Sequence, residues 1–269
     1  MSDDGTTDDV QKCTVVTERR GTTLIVTINR PEVRNALDGP TAMALAQAFR
    51  AFDSDDTLAV AVLCGSGGTF CSGFDLKAIA DGTRMVQVSE DGDGPLGVTR
   101  MQLSKPVIAA VEGYAVAGGL EVALWCDLRV AAENAVFGVF NRRWGVPLVD
   151  GGTIRLPRLI GQSRALDLIL TGRGVSGQEA LTMGLVNRLT SPGEALPVAL
   201  ALADDLARFP QHGLRSDRLA VYEQWSLSWS DAFANEARRG LEVLRSGESV
   251  EGARRFVSGH GRHGSMSDL

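Results

Sequence analysis

From Thr23 to Asn29 apolar and polar positions alternate (TLIVTIN), the period of a strand with one buried face, and Arg30-Pro31 ends it. Two later runs do not alternate. Leu58–Cys64 (LAVAVLC) and Pro106–Val111 are continuously apolar, as in strands buried on both faces. Leu128–Ala132 reads as a further strand. Between these lie helical patterns. Asp38 can cap a helix over Gly39–Phe52, with Ala42, Leu45, Ala46, Phe49 and Phe52 on one face. Asp75–Ala80 is a short helix and Gly118–Trp125 another, while Gly65–Thr69 is a glycine-rich loop. Asp81–Gly97, with its glycines and acids, reads as a mobile loop in which a helix can start after Pro95. Strand and helix thus alternate through the first half, the pattern of a parallel sheet with crossover helices.

After Gly145 helical patterns dominate: Gly152–Ile160, Ser163–Leu170, Gly177–Met183, Pro192–Phe209 and most of Leu214–Val257. The pattern divides the chain into an acidic flexible tail (1–12), an α/β core (13–190), a helical C-terminal region (191–258) and a second flexible tail (259–269). The helical region must bury its apolar stripe on the core or on another subunit.

Composition narrows the function classes. The chain has 269 residues, 44% hydrophobic and 22% charged, which is ordinary for a globular protein and excludes disorder as its main state. A net charge of −6 argues against a nucleic-acid partner. No apolar run reaches the ~18 residues of a membrane span. The acidic start has no signal core, so a cytoplasmic location is expected. Lysine is rare: Lys12, Lys77 and Lys105 are three of the 27 Lys and Arg. Cys13, Cys64, Cys71 and Cys126 contain no Cys-x-x-Cys pair and read as free thiols.

Familiar cofactor motifs fail on context. Gly92–Gly97 and Gly259–Gly264 both match Gly-x-Gly-x-x-Gly, but one follows an acidic loop and the other lies in the terminal tail. A dinucleotide site needs a strand before the glycines and a helix opening within them. There is no P-loop and no Gly-x-Ser-x-Gly elbow. His212, His260 and His263 lack zinc spacing. No metal and no cofactor are expected.

One constellation does carry chemistry. Gly118-Gly119 opens an amphipathic run, where backbone N–H groups are unpaired and the helix end is partly positive. Glu121 lies one turn on, on the face of Gly118. The Gly73-Phe74 turn can add a second N–H, and two such donors make an oxyanion hole. By spacing alone, a plainer reading stays open: the glycines permit close packing and Glu121 stabilises the helix dipole.

These segments resemble the crotonase superfamily, the enoyl-CoA hydratase/isomerase family, over roughly Thr23 to Arg188. The resemblance rests on Arg30-Pro31 with Asn35-Ala36-Leu37, Ser72-Gly73-Phe74-Asp75-Leu76-Lys77, Gly118-Gly119-Leu120-Glu121, Leu156-Pro157-Arg158, and Ala180 with Gly184-Leu185-Val186. It implies an α/β fold, a crotonase-like stack of ββα units with a C-terminal helical trimerisation region. It puts the oxyanion donors on the N–H groups of Phe74 and Gly118, and makes Glu121 the first of a hydratase's two glutamates. Substrate contacts fall on Ser72, Gly73, Asp75, Leu76, Lys77, Gly119 and Asn141. Lys77 would lie near the phosphates of coenzyme A, although a solvated lysine fits the sequence as well.

The chain departs from the family at one point. The second glutamate stands in a Phe-Gly-x-Pro-Glu segment, which here reads Phe137-Gly138-Val139-Phe140-Asn141. Asn141 cannot exchange a proton near neutral pH. Asp150 follows nearby and is either the substitute second catalytic carboxylate or the N-cap of the helix from Gly152. Arg142 and Arg143 read as structural partners of carboxylates. The implied activity is that of an enoyl-CoA hydratase of fatty acid metabolism, trans-2-enoyl-CoA plus water giving 3-hydroxyacyl-CoA. Enoyl- or dienoyl-CoA isomerisation is the alternative, or a non-catalytic acyl-CoA-binding homologue. A peptidase on the related fold has no Ser/His pair to support it. Coenzyme A enters only as part of the substrate, and a homotrimer or hexamer (dimer of trimers) is expected.

Overall fold

The computed structural model describes residues 13–261. The chain runs β1 (Val15–Arg20), β2 (Thr23–Ile28), α1 (Gly39–Ser54), β3 (Val60–Gly65), α2 (Leu76–Asp81), β4 (Val107–Val111), β5 (Tyr114–Val116), α3 (Gly118–Trp125), β6 (Leu128–Ala132) and β7 (Val136–Gly138). It continues through α4 (Gly152–Ile160), α5 (Gln162–Thr171), β8 (Gly174–Ser176), α6 (Gly177–Met183), β9 (Arg188–Thr190), α7 (Ala195–Arg208), α8 (Gln211–Glu223), α9 (Trp229–Ser246) and α10 (Glu248–Val257).

The main sheet has six strands in the order β1-β2-β3-β4-β6-β9, parallel except for the β1–β2 hairpin. Its central strands are apolar throughout because their two faces enter different cores. Ala61 and Leu63 of β3 pack into the larger core with Phe49 and Phe52 of α1. Val60, Val62 and Cys64 turn the other way, onto Ala195, Ala199 and Ala203 of α7. β4 divides likewise, with Ala109 on the first side and Ile108 and Ala110 on the second.

A second layer lies under this sheet. β5, β7 and β8 form a three-stranded sheet, extended by single bridges between Cys71 and Ala115 and between Leu37 and Phe74. β4 leads into β5 and then α3, and β6 into β7 and then, through a 3-10 turn, α4; after β2 and β3 the second layer is reached by the single bridges. This is the expected stack of ββα units. The three-residue strands are too short to show a period in sequence. β1 shows none because five of its six residues are exposed.

Two expectations change. The loop before β4 holds no helix after Pro95. Gly97, at φ +84°, lies so close to α1 that a β-carbon there would stand 1.9 Å from the Ala42 carbonyl oxygen, and Leu96 spends its N–H on a side chain. Within the loop the Arg100 guanidinium donates to the carbonyls of Ser89 and Glu90. The long helical stretch after Leu214 is three helices, broken at Gln224–Leu227 and at Gly247, φ +86°. α8 is docked by Asp127, which accepts from Arg218 Nε at 2.8 Å and Tyr222 Oη at 2.7 Å. No described helix is long and apolar enough to cross a membrane. The predicted tail at 1–12 and most of that at 259–269 lie outside the described residues.

Candidate active site

The site forms where β5 turns into α3. Ala117, between them, has φ +53° and ψ −126°, a conformation that costs a non-glycine residue of the order of 1–3 kcal/mol. Its N–H donates to the Gly138 carbonyl at 2.8 Å, and its carbonyl accepts from Leu120 and Glu121, so both neighbours hold it there. The strain turns the chain sharply, and the N–H of Gly118 then meets no protein acceptor among the described residues. The same holds for Phe74. Leu37 fixes Phe74 from both sides: Leu37 N–H donates to Gly73 at 2.8 Å and its carbonyl accepts from Asp75 at 2.9 Å. The two donors are close, since a β-carbon on Gly73 (φ +96°) would stand 2.7 Å from the Gly118 nitrogen, and one on Gly118 3.6 Å from that of Phe74.

The Arg30–Leu37 motif builds the wall behind Phe74. Arg34 and Asn35 take left-handed backbone, and the Asn35 amide donates to the Ser66 and Thr69 carbonyls while its oxygen accepts from Arg30 N–H. Arg30 then bridges Asp75 and Asp38 at 2.9 and 3.3 Å.

Glu121 sits on α3, all of whose residues are buried. Its Oε1 accepts from the N–H groups of Asp150 at 2.9 Å and Gly152 at 2.8 Å. Its Oε2 accepts no hydrogen bond among the described residues. Burial pushes the carboxyl up to about 7; the Gly152 hydrogen bond opposes this and the nearby charge of Asp150 adds to it. A carboxyl so poised can take or give a proton near neutrality.

Asp150 does not cap α4. The N-cap is Gly151, at φ +93°, with no side-chain cap bond. The Asp150 carboxylate instead accepts from Leu96 N–H at 3.0 Å and from Thr99 Oγ1, and its Oδ2 is buried without a partner among the described residues. Burial raises its pKa as well. Arg155 clamps the same segment, donating to the Asp150 carbonyl at 3.1 Å and the Thr99 carbonyl at 2.6 Å.

A cavity of about 310 Å³ brings together Ser72, Phe74, Leu76, Gly118, Glu121 and Asn141. Asp150 lies behind Glu121, outside this lining. Asp75 is also outside the lining; it caps α2 through Lys77 and Ala78 N–H and pairs with Arg30. Gly119 packs on the Cys71 carbonyl, and Lys77 stands exposed on the first turn of α2. Arg142 and Arg143 meet no carboxylate among the described residues; they donate to the Ile169 and Gly172 carbonyls, and Arg143 stacks on Phe140. Sequence reasoning missed Ala117, Thr99, Arg155 and the lining by Arg34, Trp144, Val146 and Pro147.

The chain is similar to known proteins over nearly its whole length. A family model described as Enoyl-CoA hydratase/isomerase matches residues 18–259. The enoyl-CoA hydratase EchA19 of Mycobacterium tuberculosis is 38% identical over 247 residues, 89% of this chain and 92% of that protein. A carnitinyl-CoA dehydratase of Salmonella arizonae is 41% identical, over 89% and 93% of the two chains. The crystal structure of enoyl-CoA hydratase EchA1 from Mycobacterium marinum superposes with a TM-score of 0.86 at 39% identity, over 91% of this chain and 96% of that one. With its stacked ββα units, its paired unspent N–H groups and its buried glutamate, this chain belongs to the enoyl-CoA hydratase/isomerase family of the crotonase superfamily.

Proposed function

We propose that the cavity binds an acyl-CoA thioester and that the enzyme is a hydro-lyase, hydrating a trans-2-enoyl-CoA to the 3-hydroxyacyl-CoA. The observation that carries this is the convergence of the Phe74 and Gly118 N–H groups with Glu121 in one cavity. The thioester oxygen accepts from both N–H groups, which stabilise the enolate as charge develops. Glu121, pinned at Oε1, moves the proton at Oε2. In this reading Lys77, exposed at the start of α2, takes a phosphate of coenzyme A. Relatives named as hydratases and a dehydratase of CoA thioesters support the reading.

Asn141 favours a second reading, double-bond isomerisation, because a single carboxyl can carry a proton from one carbon to another. Crotonoyl-CoA and a 3-enoyl-CoA separate the two. Loss of the conjugated-thioester absorbance with crotonoyl-CoA supports hydration, and its appearance from the 3-enoyl thioester alone supports isomerisation. Binding without either change leaves a non-catalytic homologue.

In this reading Asp150 is a positioning residue, holding Glu121 through its N–H and raising its pKa through its charge. Asp150→Asn removes a negative neighbour, which stabilises the Glu121 carboxylate. The acidic limb of the pH–rate profile is therefore expected to move to lower pH. An unmoved limb would show that the charge of Asp150 does not reach Glu121.

We also propose a homotrimer or a dimer of trimers. α9 has no buried residue and exposes Trp229 (82%), Phe233 (62%) and Leu244 (59%) along one face. A face this apolar is covered in a stable assembly. Light scattering at micromolar concentration is expected to give three or six chains, and a monomer would contradict it.

A further inference from the structure

Asn141 is where this chain leaves the two-glutamate pattern, and its amide is half used. The residue is 6% exposed. It is carried on a short 3-10 turn, Phe140–Trp144, and Nδ2 donates to the Val146 carbonyl at 2.8 Å, which fixes the amide plane. Oδ1 is sealed from bulk water and has no partner among the described residues. An acceptor left so carries an uncompensated desolvation cost, which a ligand donor can recover. Asn141 and Glu121 line the same cavity.

We propose that Asn141 Oδ1 is the acceptor that holds the oxygen nucleophile, water in hydration and the β-hydroxyl of a 3-hydroxyacyl thioester in the reverse, so that one carboxyl carries both proton transfers. This rests on the reading of Phe74, Gly118 and Glu121 as the enolate-forming set. In hydration the water oxygen gives a lone pair to C3 and the C2=C3 π pair moves into the thioester enolate. A proton of that water passes to the Glu121 carboxylate. The same carboxyl then protonates C2, the enolate collapses to the thioester, and Glu121 is again a carboxylate. The amide neither gives nor takes a proton at any point. It orients the oxygen while Glu121 does the transfer.

The test compares two reactions of the purified enzyme. Exchange of the α-hydrogens of butanoyl-CoA in D2O needs only the N–H pair and Glu121; hydration of crotonoyl-CoA also needs the oxygen held. In Asn141→Leu, hydration is expected to fall roughly 10²-fold, the scale of a misplaced reactant. Exchange is expected to stay within about threefold, which also shows that the variant is folded. Asn141→Ala replaces it where the leucine prevents folding. Unchanged hydration overturns the proposal. A parallel fall in both reactions also overturns it, since Asn141 would then serve only to hold Val146. A wild-type enzyme that does neither, or a Glu121→Gln variant that still exchanges, overturns the underlying reading instead.

Discussion

Glu121→Gln is expected to lower kcat by ~10²–10⁴-fold without lowering stability above neutral pH. The amide keeps the shape, and its oxygen still accepts from the Asp150 and Gly152 N–H groups. What it loses is the proton. The stability half follows from linkage. In the unfolded chain the carboxyl titrates at its ordinary value of 4.5; in the fold, burial holds it at about 7. Below pH 4.5 both states are protonated and nothing is lost. As pH rises to 7 the unfolded chain ionises first, and the wild type loses stability relative to an uncharged residue. Above pH 7 the penalty is complete, of the order of 3 kcal/mol. The variant has no such titration. Its melting temperature relative to wild type should therefore climb between pH 4.5 and 7 and then level off. Near wild-type kcat would remove Glu121 from the mechanism, and a stability difference flat with pH would remove its raised pKa.

The strands and helices that could be read from sequence are those whose burial writes a period. β3 and β4 are apolar at every position because α7 covers one face of the sheet and α1 lies on the other. α1 announced itself by Asp38, whose side chain accepts from Thr41 N–H as a cap should. β1 stayed hidden because it buries almost nothing. In the site, Gly118, Gly119 and Glu121 were visible because they are neighbours along one helix. The surroundings of Asp150 were not. Its carboxylate is held by Leu96 and Thr99, more than fifty residues earlier. Local spacing offered a cap or a catalytic pair; the fold makes no cap, and Asp150 meets Glu121 through its backbone N–H. The conformation of Ala117 was equally hidden, since no residue type favours φ +53° there except glycine, and the chain has alanine. The departure at Asn141 showed in sequence as a missing acid; that its oxygen is unpartnered depends on the Val146 carbonyl occupying the nitrogen.

Gly119→Ala is expected to destabilise the protein by ~2–4 kcal/mol and to cut turnover by roughly 10²-fold. Alanine is the better helix former by about 1 kcal/mol, so propensity alone predicts the opposite sign. Space decides. A β-carbon at Gly119 would stand 2.1 Å from the Cys71 carbonyl oxygen and 2.6 Å from its carbon. Neither side can yield cheaply. Cys71 is bridged to β5, its N–H donating to Tyr114 at 2.8 Å and its carbonyl accepting from Val116 at 3.1 Å. α3 is buried along its whole length. Separating the two backbones moves Gly118, the adjacent residue, away from Phe74, so the two N–H donors no longer converge. Gly252→Ala is the matched control. That glycine is also helical, in α10, and a β-carbon added to it would meet nothing within 4 Å. There propensity is unopposed, and a gain of ~0.5–1 kcal/mol with unchanged turnover is expected. Thermal melts and crotonoyl-CoA turnover on both variants check the pair. Equal effects at the two positions would show that contact with Cys71 does not hold the donors together.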